Sequence, residues 1–228
     1  MPNRAIAAAL IVILTAACSV AGEYVEWLKP PKDAVVLFDG SNTEKWTKAK
    51  MTDDGFLMAG PVTKDKFGDC ILHLEFNMRP RTDGKGNSGN SGVYLQMRYE
   101  VQILNSHGRK PEKGGCAAIY QFKPPDANVT RPIGEWQSYT IAFRQPRWDG
   151  DKKTESARIS VIHNGVLVHD DVHVPNKTGH GRKEGPEPGP LQLQNHGNPV
   201  VFRNVWLLPL APDADPKATL KTLVTPVP

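Results

Sequence analysis

The stretch "NSGVYLQMRYEVQILNSHG", Asn90 to Gly108, alternates apolar and polar residues over most of its length. Val93, Leu95, Met97, Tyr99, Val101 and Ile103 share one parity, and Tyr94, Gln96, Arg98, Glu100 and Gln102 share the other. Period two is the mark of a β-strand with one face in a core, so the stretch predicts one long strand. Its second face is unusual for a surface left to water. It carries a tyrosine, two glutamines, an arginine and a glutamate in file, and no lysine.

The same alternation recurs on both sides. In "CILHLEFNM" (70–78), Leu72, Leu74, Phe76 and Met78 share one face while His73, Glu75 and Asn77 share the other, with Ile71 an exception at the edge. In "LQLQNHG" (191–197), Leu191 and Leu193 oppose Gln192 and Gln194. Further strand-like runs are "AVVLFDG", "CAAIYQF", "WQSYTIAFR", "ARISVI", "VLVHDDV" and "VVFRNVWLLPL". Asn164-Gly165, between "ARISVI" and "VLVHDDV", is a strong hairpin signal. No segment has the pattern of an amphipathic helix. Many strands punctuated by 20 Gly and 20 Pro, without helices, predict two packed antiparallel sheets. The unit spans 34–211, and the Pro-rich 212–228 reads as an extended tail. Long polar loops at 79–90, 105–115, 123–134 and 176–189 are the places where a β scaffold commonly carries binding residues.

Bulk composition narrows the classes. The chain has 228 residues, 39% hydrophobic and 23% charged, with 28 basic against 24 acidic side chains. The net excess of +4 is spread along the chain without a basic block, which argues against nucleic acid as a partner. The first 21 residues have a lone Arg4, an apolar run and then small residues, the pattern of a secretory leader. "LTAAC" resembles a lipobox, in which Cys18 becomes the lipidated first residue and anchors the protein to a membrane; Ser19-Val20-Ala21 offers ordinary cleavage instead. Either way the protein is expected to be exported, periplasmic or associated with the outer membrane of a bacterium. An oxidising compartment then permits a Cys70–Cys116 disulfide, the alternative being two buried thiols.

If the three patterned strands are neighbours in one sheet, their polar faces assemble amide, imidazole, carboxylate and guanidinium groups on a concave surface. Amides and carboxylates bind vicinal hydroxyls, and aromatic rings cover the apolar face of a sugar. The bland alternative is a solvated outer face.

At this point the chain resembles a known family. "LFDGSNTEKW", "NSGVYLQMRYEVQILNSHG", "CAAIY", "GEWQSYTIAFRQPRWDG", "HNGVLVHD" and "GPLQLQNHGNPVVFRNVWLLPL" appear in the order of the 3-keto-disaccharide hydrolase domain, over about Val35 to Leu210. Asn195 stands where that family's "LQDHG" has an acid. The resemblance implies a concanavalin A-like jelly-roll sandwich, all-β, acting on glycosides whose glucose ring a partner oxidoreductase has oxidised at C3. A C3 ketone acidifies the C2 hydrogen, so a base can remove it and the C1 substituent leaves by elimination. Water then adds to the enone. Such a site needs a base, a group that stabilises the enolate and an acid for the leaving oxygen.

Strand parity and the matching motifs together nominate Glu100 or His196 as base and Arg98 or Arg203 as enolate stabiliser. Glu75, Gln102, Gln194 and Tyr120 are nominated to bind hydroxyls, with His107 on the rim. No cofactor and no metal are expected: His73, Glu75, Glu100 and His196 lack a recognised ligand spacing, and "DGKGNSGN" offers one carboxylate, Asp83. Two other classes compete. A carbohydrate-binding module on the same scaffold needs no base, and an ordinary glycosidase needs Glu75 and Glu100 across a groove.

Overall fold

The computed structural model describes residues 24, 26–86 and 89–225. The leader expected over 1–21, with Cys18, lies outside them. Two antiparallel sheets carry the fold. The larger runs β1 (Val35–Phe38), β14 (Val200–Pro209), β5 (Cys70–Met78), β8 (Trp136–Arg144), β11 (Ala157–His163) and β12 (Val166–Val174), with β3 (Leu57–Met58) also on β14. The smaller runs β2 (Trp46–Thr47), β4 (Val62–Thr63), β13 (Gln192–Leu193), β6 (Ser91–Leu95) and β7 (Tyr99–Ile103). A ribbon of β9 (Arg147–Asp149) and β10 (Lys152–Glu155) stands apart.

Leu72, Leu74 and Phe76 from the larger sheet meet Val93, Val101 and Leu193 from the smaller in one buried core. The all-β jelly-roll sandwich expected from the sequence is the fold observed. Asn164 and Gly165 sit at φ 50° and 78° in the turn between β11 and β12, the left-handed pair that a tight hairpin requires.

The opening stretch is a hairpin, not one long strand. β6 ends at Leu95, β7 begins at Tyr99, and Gln96, Met97 and Arg98 make the turn, with Arg98 N–H donating to Leu95 O at 2.9 Å. Leu95 faces Tyr99, Val93 faces Val101 and Ser91 faces Ile103. Because three residues turn the chain, residues of equal parity pair, and the alternation passes through the turn with no change of phase. Pattern alone therefore gives no hint of the reversal.

The residues at the turn hide it further. Gln96 and Met97 adopt φ 55° and 56°, a left-handed conformation that costs a non-glycine residue about 1–2 kcal/mol. Tertiary bonds hold them there. Gln96 Nε2 donates to Phe67 O at 2.9 Å and Gln145 Oε1 at 2.8 Å, and Arg182 N–H donates to Met97 O at 2.7 Å. Met97, assigned to the core face by parity, is at the tip and only half-buried.

Two further expectations are corrected. The tail contains α1 (Pro216–Val224), capped by Asp215, which accepts from Lys217 N–H at 3.0 Å. An aspartate before proline is a helix-start signal that the Pro-rich composition masked. Leu220 and Val224 pack on Ile71, Ala142, Ile162 and Trp206, so Ile71 faces this helix on the outer side of the larger sheet. Cys70 and Cys116 are free and buried. Cys70 pairs across the sheet with Phe143, whereas Cys116 Sγ lies 3.0 Å from Tyr139 Oη. Four residues of strand separate Phe143 from Tyr139, about 13 Å, too far for the Cα separation a disulfide allows.

Candidate active site

The polar faces of β5 and β7 do not share a sheet. Leu74 and Phe76 point into the core from the larger sheet, and Tyr99 and Val101 point into it from the smaller. Glu75 and Glu100 therefore project from opposite outer surfaces of the sandwich. That separation overturns the assembly of all three strands on one surface and the two-carboxylate arrangement with it.

Glu75 belongs to a structural network. Its carboxylate accepts from Arg203 Nε at 2.6 Å and Asn204 Nδ2 at 2.7 Å, while the Arg203 guanidinium lies 4.0 Å from the Trp136 ring centroid. Asn204 Nδ2 also donates to Leu28 O, tying the segment before β1 to the sheet. His73 is buried beside them, stacked on Trp206 and 2.8 Å from Thr140 Oγ1. Burial lowers its pKa to about 3, which keeps it neutral.

The outer face of the smaller sheet holds a different arrangement. Tyr94, Glu100, Gln102 and Gln194 lie there, on the parity opposite Val93, Val101 and Leu193. Glu100 is 2% exposed and its Oε2 accepts from Tyr94 Oη at 2.7 Å. Oriented to meet its acceptors, the Gln102 amide donates to Ser91 O at 2.6 Å and to Glu100 Oε1 at 3.3 Å. Gln194 Oε1 is buried without a hydrogen-bond partner.

The backbone around Glu100 is also engaged. Its N–H donates to Thr178 Oγ1 at 2.7 Å, and its carbonyl accepts from Tyr120 N–H at 3.0 Å. Two glycines permit the packing. A Cβ on Gly92 would stand 2.3 Å from Glu100 Oε1, and one on Gly179 would stand 2.6 Å from Tyr120 Cδ1 and 3.1 Å from Glu100 Oε2. A glycine inside a strand marks a close approach; here the Glu100 side chain lies over Gly92.

Burial raises the Glu100 carboxyl from 4.5 to about 7, and the Tyr94 hydrogen bond opposes the rise. Removal from water disfavours the charged form, and no cation is among the causes of its shift. A carboxyl poised near neutrality is suited to proton transfer.

The remaining nominated residues are dispersed. Arg98 stands at the hairpin tip, where one guanidinium nitrogen donates to Gln96 Oε1, Gly185 O and Glu187 O; those acceptors lock the tip and take it out of the role of enolate stabiliser. Arg203 is on the other sheet. His196 is exposed in the turn after β13, its carbonyl accepting from Asn198 Nδ2. Asn195 closes that turn, accepting from Gly197 N–H at 2.7 Å, which suits an amide as well as an acid. His107 is exposed beyond β7, with Nδ1 2.7 Å from Thr130 O.

The sequence pattern does not single out Tyr94, Gly92, Thr178 or Gly179 as site residues. Tyr94 shares Glu100's parity, Gly92 interrupts a strand pattern, and 178–179 lie in a loop singled out for its length. Those signals were present, but only register brings them together. Among the described residues no three of His, Cys, Asp and Glu converge on a metal-sized site. A cleft of about 230 Å³ adjoins Glu100, lined by Tyr120, Phe122, Lys177 and Gly179. A wider one of about 450 Å³ lies between Arg79–Asp83 and Asn195–Val201. Asp83, the acid that lines it, is paired with Arg81 and held below the usual carboxylate range, chiefly by that arginine hydrogen bond. That cleft's lining carboxylate is held by an arginine, whereas Glu100 is buried and raised, so the chemistry points to Glu100.

Residues 33–208 match the 3-keto-alpha-glucoside-1,2-lyase-like domain. The chain belongs to that family. Membership makes this 3-keto-alpha-glucoside-1,2-lyase-like domain a carbohydrate-active one. It is similar to a "putative glycosyl hydrolase" from Parabacteroides distasonis at 31% identity and a TM-score of 0.70, over 79% of this chain and 85% of that one. A second structure of that description and organism matches at 24% identity and a TM-score of 0.54, over 78% of this chain and 99% of that one, and it shows the fold alone. No curated protein matches the chain.

Proposed function

We propose that this domain cleaves 3-keto-glycosides on the outer face of its smaller sheet, with Glu100 as the base. The observation that carries the reading is a carboxyl buried between Gly92 and Gly179, hydrogen-bonded to Tyr94 and raised to about 7. The carboxylate takes the hydrogen at C2, and the electron pair moves toward the C3 carbonyl oxygen. Collapse of that enolate expels the C1 substituent. The departing oxygen takes up the proton, for which Tyr94 Oη is a relay, and Glu100 is regenerated. Water adding across C1 and C2 completes a net hydrolysis.

The Gln194 amide, whose Oε1 has no partner, supplies an acceptor for a ring hydroxyl, and Gln102 supports the carboxylate. With Arg98 and Arg203 committed elsewhere, amide and hydroxyl donors on this face stabilise the enolate oxygen. An oxidoreductase acting at C3 supplies the substrate, and the leader-like first 21 residues support an exported location, with Cys18 as a site for lipidation.

The test is aglycone release from a 3-keto-glucoside and from its unoxidised parent, by the wild type and by Glu100→Gln. Release from the keto substrate alone, lost in the variant, supports the reading. Binding of both sugars without release from either replaces it with a non-catalytic binding module.

A further inference from the structure

We infer that the cleft walled by Tyr120, Phe122, Pro175 and Lys177 is the leaving-group subsite, and that it takes a single flat ring. The inference rests on the function proposed above. Tyr120 and Gly179 belong both to this cleft and to the surroundings of Glu100, so the cleft adjoins the carboxylate.

The two sides of Glu100 differ in chemistry. On the sheet side are the amides of Gln102 and Gln194 and the Tyr94 hydroxyl, suited to a hydroxyl-bearing keto ring. On the cleft side, Tyr120, Phe122 and Pro175 present apolar surface, and Lys177 Nζ is turned onto Gly179 O at 2.7 Å. Phe122 is 37% exposed, so one large apolar side chain is held at the surface, beside the site. The turn that presents it is strained, with Gln121 at φ 59°, and conformations of this kind persist where the surrounding structure enforces them. Here Phe122 N–H donates to Ile119 O at 2.9 Å and Gln121 N–H to Lys113 O at 2.8 Å.

Size sets the class of ligand. An enclosed apolar cavity of about 150 Å³ accommodates benzene, so an open cleft of about 230 Å³ has room for one aromatic ring against Phe122. An aromatic side chain stacked on such a ring contributes about 0.5–1.5 kcal/mol beyond burial.

The experiment compares phenyl and methyl 3-keto-α-glucosides on the wild type, Phe122→Ala and Phe122→Tyr. Each variant is referred to the wild type on the same substrate, so the intrinsic leaving abilities of phenol and methanol cancel. The expected result is a loss in kcat/KM of roughly tenfold for the phenyl substrate in Phe122→Ala, recovery in Phe122→Tyr, and a methyl substrate within twofold throughout. Intact turnover of the methyl substrate shows that the variant is folded. Equal effects on both substrates, or none on either, overturn the subsite while leaving the cleavage reaction in place. A wild type that cleaves neither overturns the functional reading and this inference with it.

Discussion

The Glu100→Gln substitution should stabilise the protein at alkaline pH while abolishing its chemistry. Glutamine keeps the shape of the side chain and an oxygen for the Tyr94 hydroxyl. The carboxyl rises from 4.5 to about 7 on folding, so the folded state holds its proton more tightly than the unfolded chain. A raised carboxyl carries no penalty below pH 4.5, where both states are protonated, and its full penalty above pH 7, where the buried carboxylate is charged. The shift corresponds to about 3 kcal/mol, of which about 2.5 falls between pH 5 and 8. His73, His163 and His169 act oppositely. Burial lowers them to about 3, 3 and 4, so their contribution is present above pH 6.5 and is lost as pH falls below it. Wild type and variant share those histidines, and their effect cancels in the difference. Urea denaturation of both proteins at pH 5, 6, 7 and 8 measures it. The variant should gain about 2.5 kcal/mol over the wild type across that range, and a difference flat within about 0.5 kcal/mol would refute the claim that Glu100 is buried and raised.

On a 3-keto substrate, kcat/KM should climb with pH through an apparent pKa near 7, because the base must be ionised. A profile already flat from pH 5 upward assigns the base elsewhere. Gly92→Ala forces a methyl to within 2.3 Å of Glu100 Oε1 and should reduce turnover by at least about a hundredfold, with a circular dichroism spectrum like that of the wild type; near-normal turnover means that the carboxyl can sit elsewhere and still work. Arg203→Met leaves Glu75 with the Asn204 amide as its hydrogen-bond donor and should cost about 2 kcal/mol of stability with kcat unchanged. A tenfold fall in kcat at full folding places the site on the wrong sheet. Reducing agent should leave the melting temperature unchanged, since Cys70 and Cys116 are free; a drop of several degrees reveals a bridge.

Much of the fold was legible because its determinants are local. Alternation in 70–78 and 191–197 and the Asn164-Gly165 turn are properties of a few adjacent residues, and they suffice for strands, a hairpin and two sheets. The reversal at Gln96 to Arg98 was not legible, since a three-residue turn preserves parity and its strain is relieved by Phe67, Gln145 and Arg182, all distant in sequence. Helix α1 was legible in principle from Asp215-Pro216 and was outweighed by composition.

For the site, the sequence by itself determined which residue types face away from the core and, through its motifs, the family. Glu100, Gln102, Gln194 and Tyr120 were named on those grounds. Only the tertiary structure decided which of the polar faces coincide. Parity says that a residue points away from the core without saying from which sheet, and Glu75 with Arg203 satisfies it as well as Glu100 with Tyr94. Strand order separates them, and the glycines at 92 and 179, with the loop that carries Thr178, then enclose Glu100 with a tyrosine hydroxyl where Glu75 has an arginine. The shifted proton affinity of Glu100 is a property of that enclosure, which no local pattern encodes.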